Sequence, residues 1–305
     1  MMKLNIQDET SQLEAVVVGI ANSSGGIPQI KDAYDPKSIE HIKAGTYPVE
    51  LDMIAEMDQL VQVFEKHNVE VFRPGIILDC NQIFTRDIAF VVDDYLIESN
   101  ILPHREKEFG AIDHVIQQID PDKVVRLHDD VHIEGGDVML WHEYIFVGTY
   151  RGDDYPDYIT ARTNGPGVKF LEDFFPNKQV ISFDLKKSNT NPRENALHLD
   201  CCFQPVGKDK AIIHKEGFLD VKEYEILVDI FGIDNIFHID KNEMYYMNSN
   251  VFSISPEVVI SEQGFIRLNT WLEKNGILVE KIPYAEIAKQ EGLLRCSTLP
   301  LRRKR

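Results

Sequence analysis

The sequence predicts an α/β fold assembled from a repeated unit of one β-hairpin and one helix. Four segments contain two apolar runs joined by a short polar turn, which is the pattern of a β-hairpin, and they begin about 50 residues apart. Amphipathic helical patterns lie between these segments. Four or five such units in a ring would remove the exposed edges of their sheets, whereas the alternative is an open α/β sheet.

The hairpins are recognised by their paired apolar runs. They occupy residues 83–99, 132–148, 196–215 and 249–262, and a further strand-like segment follows at 294–301. Near the N-terminus, residues 13–20 (LEAVVVGI) offer a strand that could complete the last unit. Because no Pro/Gly/Ser-rich linker divides the chain, residues 1–305 are expected to form one domain.

Apolar residues at three- and four-residue steps predict the helices that connect the hairpins. These helices are expected at residues 50–67, 106–119, 220–232 and 261–276. The last would begin at Ser261 as its N-cap and stop at Gly276 as its C-cap. Residues 21–48 show no strong pattern and are rich in Gly, Ser, Tyr and Pro. Such a long loop is often a lid over a substrate, the alternative being a surface excursion.

The composition excludes several classes of protein. With 32 Lys and Arg against 50 Asp and Glu, the net charge of −18 argues against a nucleic-acid binder. The apolar runs are too short to span a membrane, and the N-terminal residues lack the apolar region of a signal peptide. Four cysteines without a CxxC pair indicate free thiols in a reducing cytoplasm. The basic end, residues 302–305, is interpreted as a solvated tail.

Polar residues beside apolar strands are candidates for chemistry, because burying them without partners is costly. Asp87 stands at the start of a predicted strand, where the alternative role is a structural ion pair. The motif HIEGGD places His132, Glu134 and Asp137 in one cluster, and its two glycines allow a ligand or another backbone segment to approach closely. A metal site is the alternative for this cluster, but a matching set of His and Cys ligands does not accompany it.

A histidine and a cysteine complete the candidate set. Strand alternation places His198 and Asp200 on one face, where they would form a general acid/base pair or, alternatively, a structural pair. Cys296 is a candidate nucleophile, against the alternative of a small buried hydrophobe. Arg162 is either a bidentate ligand for a substrate carboxylate or a surface residue. A thiol, an imidazole and several carboxylates together suit a cysteine enzyme that acts on a guanidine, whose planar group carries five hydrogen-bond donors.

The motifs FTRD, IEGGD, HLD and GLLRCSTLPLRR, in that order, resemble those of the guanidino-group-modifying superfamily, the penteins. This superfamily contains arginine deiminases, dimethylarginine dimethylaminohydrolases and amidinotransferases. The resemblance extends from residue 13 to the C-terminus and implies a five-bladed α/β propeller of ββαβ units around a central active site.

The resemblance also implies a role for each matching residue. Cys296 stands where the superfamily has its nucleophile, and His198 where it has its general acid/base. The carboxylates that bind the guanidinium group are matched by Glu134 and Asp87, and Glu134 is also expected to be catalytic. Asp200 matches the second carboxylate of the HxD motif. Arg162 matches a substrate-carboxylate arginine, and Asp137 is counted among the substrate-binding residues. The arginine that follows the FxxD strand in dimethylarginine hydrolases is replaced by Ser99 or Asn100, with Arg105 further on.

The implied reaction proceeds through a covalent amidino-cysteine and requires no cofactor or metal. We expect a cytoplasmic enzyme that acts on arginine or a related small guanidino compound. The HLD motif favours a deiminase or amidinotransferase, and the latter is the preferred label, whereas the GLLRC context favours the hydrolases. The alternatives are a hydrolase of the dimethylargininase or arginine deiminase type that releases citrulline, a metal-dependent hydrolase and a non-catalytic binding protein. A homodimer is left open as its assembly.

Overall fold

The computed structural model describes residues 1–155 and 157–304. Fifteen strands are found in these residues: β1 Leu13–Val18, β2 Glu70–Phe72, β3 Ala89–Val92, β4 Tyr95–Glu98, β5 Val124–Arg126, β6 Val138–Trp141, β7 Tyr144–Thr149, β8 Gln179–Asp184, β9 Phe203–Val206, β10 Lys210–Ile213, β11 Ile236–His238, β12 Phe252–Ser255, β13 Val258–Glu262, β14 Leu278–Ile282 and β15 Thr298–Arg303.

The same residues contain nine α-helices, several of them single turns. They are α1 Pro36–Ala44, α2 Glu50–Lys66, α3 Thr85–Ile88, α4 Lys107–Gly110, α5 Asp113–Ile116, α6 Gly165–Phe174, α7 Val221–Phe231, α8 Lys241–Tyr245 and α9 Ile266–Lys274. Among the described residues, no helix combines the length and the apolar character that crossing a membrane requires.

The strands described form five three-stranded sheets of one design. In four of them an antiparallel hairpin is followed by a helical connection and a third, parallel strand: β3-β4-β5, β6-β7-β8, β9-β10-β11 and β12-β13-β14. The fifth sheet joins both ends of the chain, because β15 pairs antiparallel with β1 and β1 pairs parallel with β2. This closure confirms the predicted five-bladed α/β propeller and the role of residues 13–20 as the completing strand.

The first strand of each hairpin is the buried one. Strands β3, β6, β9 and β12 are buried at every position, although β9 (FQPV) and β12 (FSIS) also contain polar residues. Two apolar clusters fill the interior around these strands. The residues that lead into the buried strands are therefore held by a rigid core.

Three local predictions are wrong. Ser261 is not a helix N-cap, because β13 continues to Glu262 and α9 begins at Ile266. The helix expected at residues 106–119 is broken after Gly110 into α4 and α5. The basic end is not a solvated tail, since β15 extends through Arg303, which is 2% exposed. Residue 305 lies outside the described part of the chain.

Candidate active site

The candidate residues lie at equivalent places in different blades, just before the first strand. Asp87 lies in the helical turn α3, two residues before β3. Glu134 precedes a 3₁₀ turn at Gly135–Asp137 that leads into β6. His198 precedes another turn at Leu199–Cys201, ahead of β9, and Cys296 lies two residues before β15. Because the first strands are the buried ones, these turns bring residues distant in sequence to one centre.

The turns correct two expectations about strands. Asp87 lies in a helical turn rather than at the start of a strand. His198 and Asp200 do not share a strand face, because residues 199–201 form a 3₁₀ turn. The turn sends the two side chains to different partners, so that His198 contacts Glu134 and Asp200 contacts Cys296.

Cys296 is buried and has two polar neighbours at its sulfur. Its Sγ lies 3.6 Å from Asp200 Oδ2, and the Nδ2 of Asn250 donates to Sγ at 3.2 Å. Burial, together with the negative charges of Asp200 and Asp87, raises the pKa of the Cys296 thiol well above its ordinary value. The hydrogen bond from Asn250 acts in the opposite direction.

His198 is held between two carboxylates. Its Nε2 lies 2.8 Å from Glu134 Oε2, and its Nδ1 lies 3.8 Å from Asp87 Oδ1. Burial lowers the pKa of His198, but Asp87, Asp137 and Glu134 together outweigh it, so the net shift of the pKa is upward. A histidine that keeps its proton near neutral pH is suited to give that proton to a leaving group.

Glu134 and Asp87 each bind the guanidinium group of an arginine of the chain. Arg162 Nη1 donates to Glu134 Oε2 at 3.1 Å, and Arg105 Nη1 donates to Asp87 Oδ2 at 2.7 Å. Arg105 also pairs with both oxygens of Glu108 at 2.8 Å. The pKa of Glu134 is lowered, because Arg162 and His198 overcome the effect of burial. These two carboxylates thus have the geometry needed to hold guanidinium groups.

Asp200 is fixed by a fully buried arginine. Arg295 Nη1 donates to Asp200 Oδ2 at 2.9 Å, and its Nε and Nη2 donate to Glu9 at 3.2 and 3.1 Å. A further hydrogen bond of 2.7 Å joins Nη2 to the carbonyl of Val138. The residue before Cys296 therefore connects the N-terminal segment, the second blade and the turn before β9.

Asp137 supports the histidine turn. Its Oδ1 accepts a hydrogen bond of 2.9 Å from the backbone N–H of Leu199, next to His198. Burial raises the pKa of Asp137 above its ordinary value. A direct contact of Asp137 with substrate stays a prediction.

The glycines of the IEGGD motif permit close packing around the histidine. A Cβ at Gly136 would lie 2.6 Å from Cγ and Nδ1 of His198, and one at Gly135 would lie 2.2 Å from the carbonyl oxygen of Arg86. Both distances are far shorter than a real Cβ contact. The glycines thus serve the approach of protein groups.

The structure does not assemble the metal site considered from the sequence. His132 is partly exposed, with Nε2 3.1 Å from the carbonyl of Asp129, and the described residues do not gather it with Glu134 and Asp137. Asp87, Glu134 and His198 do bring potential ligand atoms within 4.8 Å of one another. Two of these groups already pair with arginines, whose positive charges disfavour a cation there.

Tyr34 covers the site from the segment at residues 21–48. Its ring centroid lies 5.7 Å from the guanidinium carbons of both Arg105 and Arg162, and its carbonyl accepts a 2.8 Å hydrogen bond from Arg162 Nη2. Asp35 and Lys37, which follow, are 3% and 2% exposed. The prediction of a loop is wrong for the second half of this segment, because α1 begins at Pro36. The residues around Tyr34 are packed into the protein, and the role of the segment as a lid stays a prediction.

Sequence reasoning missed several residues of the site. It overlooked Asn250, Arg295, Glu9 and Tyr34, and treated Arg105 only as a displaced carboxylate ligand. Asn250 could have been found from the repeat, because it precedes β12 by the same two residues that separate Asp87 from β3. The pairing of Glu9 with Arg295 joins residues 286 positions apart, and the sequence carries no signal for it.

Comparison with known proteins agrees with this geometry. The family model described as "N,N dimethylarginine dimethylhydrolase, eukaryotic" matches residues 42–303. The chain belongs to this dimethylhydrolase family. The predicted membership of the guanidino-group-modifying superfamily is thereby confirmed, and so is the expectation of an enzyme of that class.

Other proteins that are similar to this chain carry different names. Protein YkgA of Bacillus subtilis (strain 168), which is described as uncharacterized, is 29% identical over 250 residues, 80% of this chain and 78% of that protein. An arginine deiminase of Streptococcus uberis is 23% identical over 99% of this chain and 73% of its own length. SxtG, an amidinotransferase from Microseira wollei, has the same fold, with a TM-score of 0.76 at 18% identity over 99% of this chain and 98% of its own.

Proposed function

We propose that the chain cleaves a C–N bond of a guanidino compound through a covalent amidino-cysteine at Cys296. One observation carries this proposal: a buried thiol lies 3.6 Å from Asp200, in a centre whose carboxylates Glu134 and Asp87 already hold guanidinium groups. His198, between these two carboxylates, supplies the acid and base. The substrate is a small guanidino compound such as arginine or a methylated arginine.

The first half-reaction forms one bond and breaks another. When the substrate binds, the Cys296 thiol releases its proton to solvent, and the thiolate attacks the carbon of the guanidinium group, whose N–H groups donate to Glu134, Asp87 and Asp200. The tetrahedral intermediate collapses as its C–N bond breaks, and the proton of His198 passes to the departing amine. An amidino-cysteine with a C–S bond remains, and His198 is left neutral.

The second half-reaction releases the thiol. Neutral His198 takes a proton from water as the hydroxide forms a C–O bond at the amidino carbon. The C–S bond then breaks, the hydroxyl proton passes to the departing sulfur of Cys296, and a ureido product leaves as a C=O bond forms. Because the chain belongs to a family named for a hydrolase, we propose water as the nucleophile of this second half-reaction. Amidino transfer to an amine is the second candidate, favoured by the HxD arrangement that sets Asp200 against Cys296.

Activation of the thiol depends on the substrate in this proposal. The pKa of Cys296 lies well above its ordinary value in a centre that holds Asp200 and Asp87. A guanidinium cation bound by the same carboxylates offsets their negative charge and thereby favours the thiolate. The nucleophile is thus formed where its target is bound.

Entry of the substrate requires movement. Cys296 is 3% exposed, and Tyr34 lies over the arginines of the site. We propose that the segment at residues 21–48 opens as a lid and that Arg162 then turns from Glu134 towards the carboxylate of the substrate. The homodimer and the cytoplasmic location stay predictions, which gel filtration and cell fractionation would test.

Mass spectrometry of products tests the reaction. The protein is incubated with L-arginine, methylated arginines, agmatine or guanidinoacetate, each with and without glycine or lysine. Citrulline with ammonia or a methylamine, formed without an added amine, supports hydrolysis. Ornithine and a new guanidino compound, formed only with an amine, support transfer.

Two variants and a chelator test the mechanism. Cys296→Ala should abolish both turnover and the covalent adduct seen in the intact mass, while its thermal unfolding stays that of the parent. Cys80→Ala is the matched control, since Cys80 is a partly buried thiol whose Sγ lies against the carbonyl of Asn81. Full activity of the Cys296 variant would disprove the mechanism, and loss of activity in excess chelator would favour the metal-dependent alternative.

A further inference from the structure

The side chain of Asn250 makes three hydrogen bonds, two with Cys296 and one with the preceding residue, Arg295. Its side chain is fully buried just before β12, and its Oδ1 accepts hydrogen bonds from the backbone N–H of Arg295 at 3.0 Å and of Cys296 at 3.2 Å. Its Nδ2 donates to Sγ of Cys296 at 3.2 Å. One amide group thus contacts both the backbone and the reacting atom of the nucleophile.

The backbone contacts fix which end of the amide faces the sulfur. Only the carbonyl oxygen can accept from two N–H donors, so a flipped amide would set its NH₂ group against both of them. Nδ2 must therefore point at Sγ, where it is a donor only. A donor stabilises a thiolate more than a neutral thiol, because hydrogen bonds to charged groups are the stronger ones.

Other groups around this sulfur act against ionisation. Asp200 from the turn before β9 and Asp87 from α3 carry negative charge, and Cys201 is a further titratable neighbour. Arg295 balances Asp200 through their 2.9 Å ion pair, and His198 lies between Glu134 and Asp87. Asn250 contributes a neutral donor whose contact with the sulfur strengthens when the proton leaves.

We propose that Asn250 is a catalytic residue that stabilises the thiolate of Cys296 through its Nδ2–H donor while its Oδ1 holds the nucleophile's backbone. This assignment deepens the proposed function and rests on it only in taking Cys296 as the nucleophile. It predicts that one isosteric substitution can keep the hydrogen bonds from the two backbone N–H groups to Oδ1 while removing the donor that stabilises the thiolate.

Asn250→Asp makes that separation. Aspartate keeps the acceptor for the two backbone N–H groups but replaces the donor at Sγ with a negatively charged oxygen. Alkylation of Cys296 by iodoacetamide is measured from pH 6 to 10, with the modified residue identified by peptide mass spectrometry. Because the pKa of the parent thiol is already raised, the comparison rests on the position of the rising limb of the profile. We expect this limb to move up by a unit or more, so that the rate at pH 8 falls about tenfold or further.

Asn269→Asp is the matched control. Asn269 is also buried and in the same blade, and its Nδ2 donates to the carbonyl of Glu262 at 2.9 Å. It loses the same kind of donor, and its alkylation profile should match that of the parent. Asn250→Ser is the second variant, which buries no carboxylate and should also move the rising limb to higher pH.

An alkylation profile of folded Asn250→Asp or Asn250→Ser that superimposes on the parent profile overturns the assignment. A rising limb at higher pH in the Asn250 variants but not in Asn269→Asp supports it. Alkylation needs no turnover, so this result is independent of the product assay. Inactivity on every guanidine would contradict the proposed function and leave the role of Asn250 at the thiol intact.

Discussion

Gly136→Ala should disable the histidine without disturbing the rest of the fold. The new Cβ would lie 2.6 Å from Cγ and Nδ1 of His198, whereas ordinary contacts begin near 3.4 Å, so the ring must withdraw by roughly 0.8 Å. The imidazole ring cannot withdraw without breaking a contact, because its Nε2 lies 2.8 Å from the buried carboxylate of Glu134. Since a misplacement near 1 Å costs on the order of 100-fold in rate, we expect kcat/KM to fall about 100-fold.

The assay is steady-state turnover of the best guanidine from the product screen, together with thermal unfolding. Overpacking of this kind destabilises by about 1–3 kcal/mol, so the variant should remain folded at the assay temperature. Gly165→Ala is the control, since a Cβ there meets nothing within 4 Å and the residue begins α6. Parent-like turnover by Gly136→Ala would refute the argument that this glycine positions His198.

Three further predictions concern charges. Arg295→Leu leaves Glu9 without its buried partner and should cost about 3–5 kcal/mol in urea unfolding, against about 0–1 kcal/mol for Arg302→Leu, whose ion pair is partly exposed. Burial raises the pKa of Glu56 from 4.5 to about 7. Glu56 therefore contributes fully to the free energy of unfolding below pH 4.5, and this contribution is lost as the pH rises through 7. Glu56→Gln should remove that fall from unfolding curves measured across the same range. Arg162→Gln should raise KM for L-arginine more than for agmatine, which lacks the carboxylate.

The fold was predictable because its signals are local. Each of the four hairpins shows two apolar runs and a polar turn in the sequence, and the repetition of this pattern predicts the repeated sheets. The predictions were wrong where the local sequence pattern favours one structure and pairing with a distant strand imposes another. Ser261 resembles an N-cap, yet β13 continues through it because Ser261 pairs with Lys281 of β14. Arg303 resembles a tail residue, yet it lies in the sheet that joins the two ends of the chain.

The site was predictable only in part, for a physical reason. Cys296, His198 and Glu134 stand out in the sequence because each is a reactive or charged group beside an apolar run. Arg295 and Asn250 do not stand out, because their importance depends on partners that the fold brings close. The side chain of Asn250 meets Cys296 across 46 positions. Such contacts become visible only when the blades are superimposed as repeats.

The resident arginines differ in what holds them, and this difference indicates how a substrate could enter. Arg105 is fixed by Glu108 as well as by Asp87. Arg162, by contrast, donates its other hydrogen bonds to the backbone carbonyls of Ile159 and Tyr34. A neutral carbonyl holds a guanidinium less strongly than a second carboxylate does. Since Tyr34 belongs to the covering segment, displacement of that segment would remove one of these bonds and loosen Arg162. We therefore expect opening of the segment at residues 21–48 to be coupled to the release of Glu134 for an incoming guanidinium.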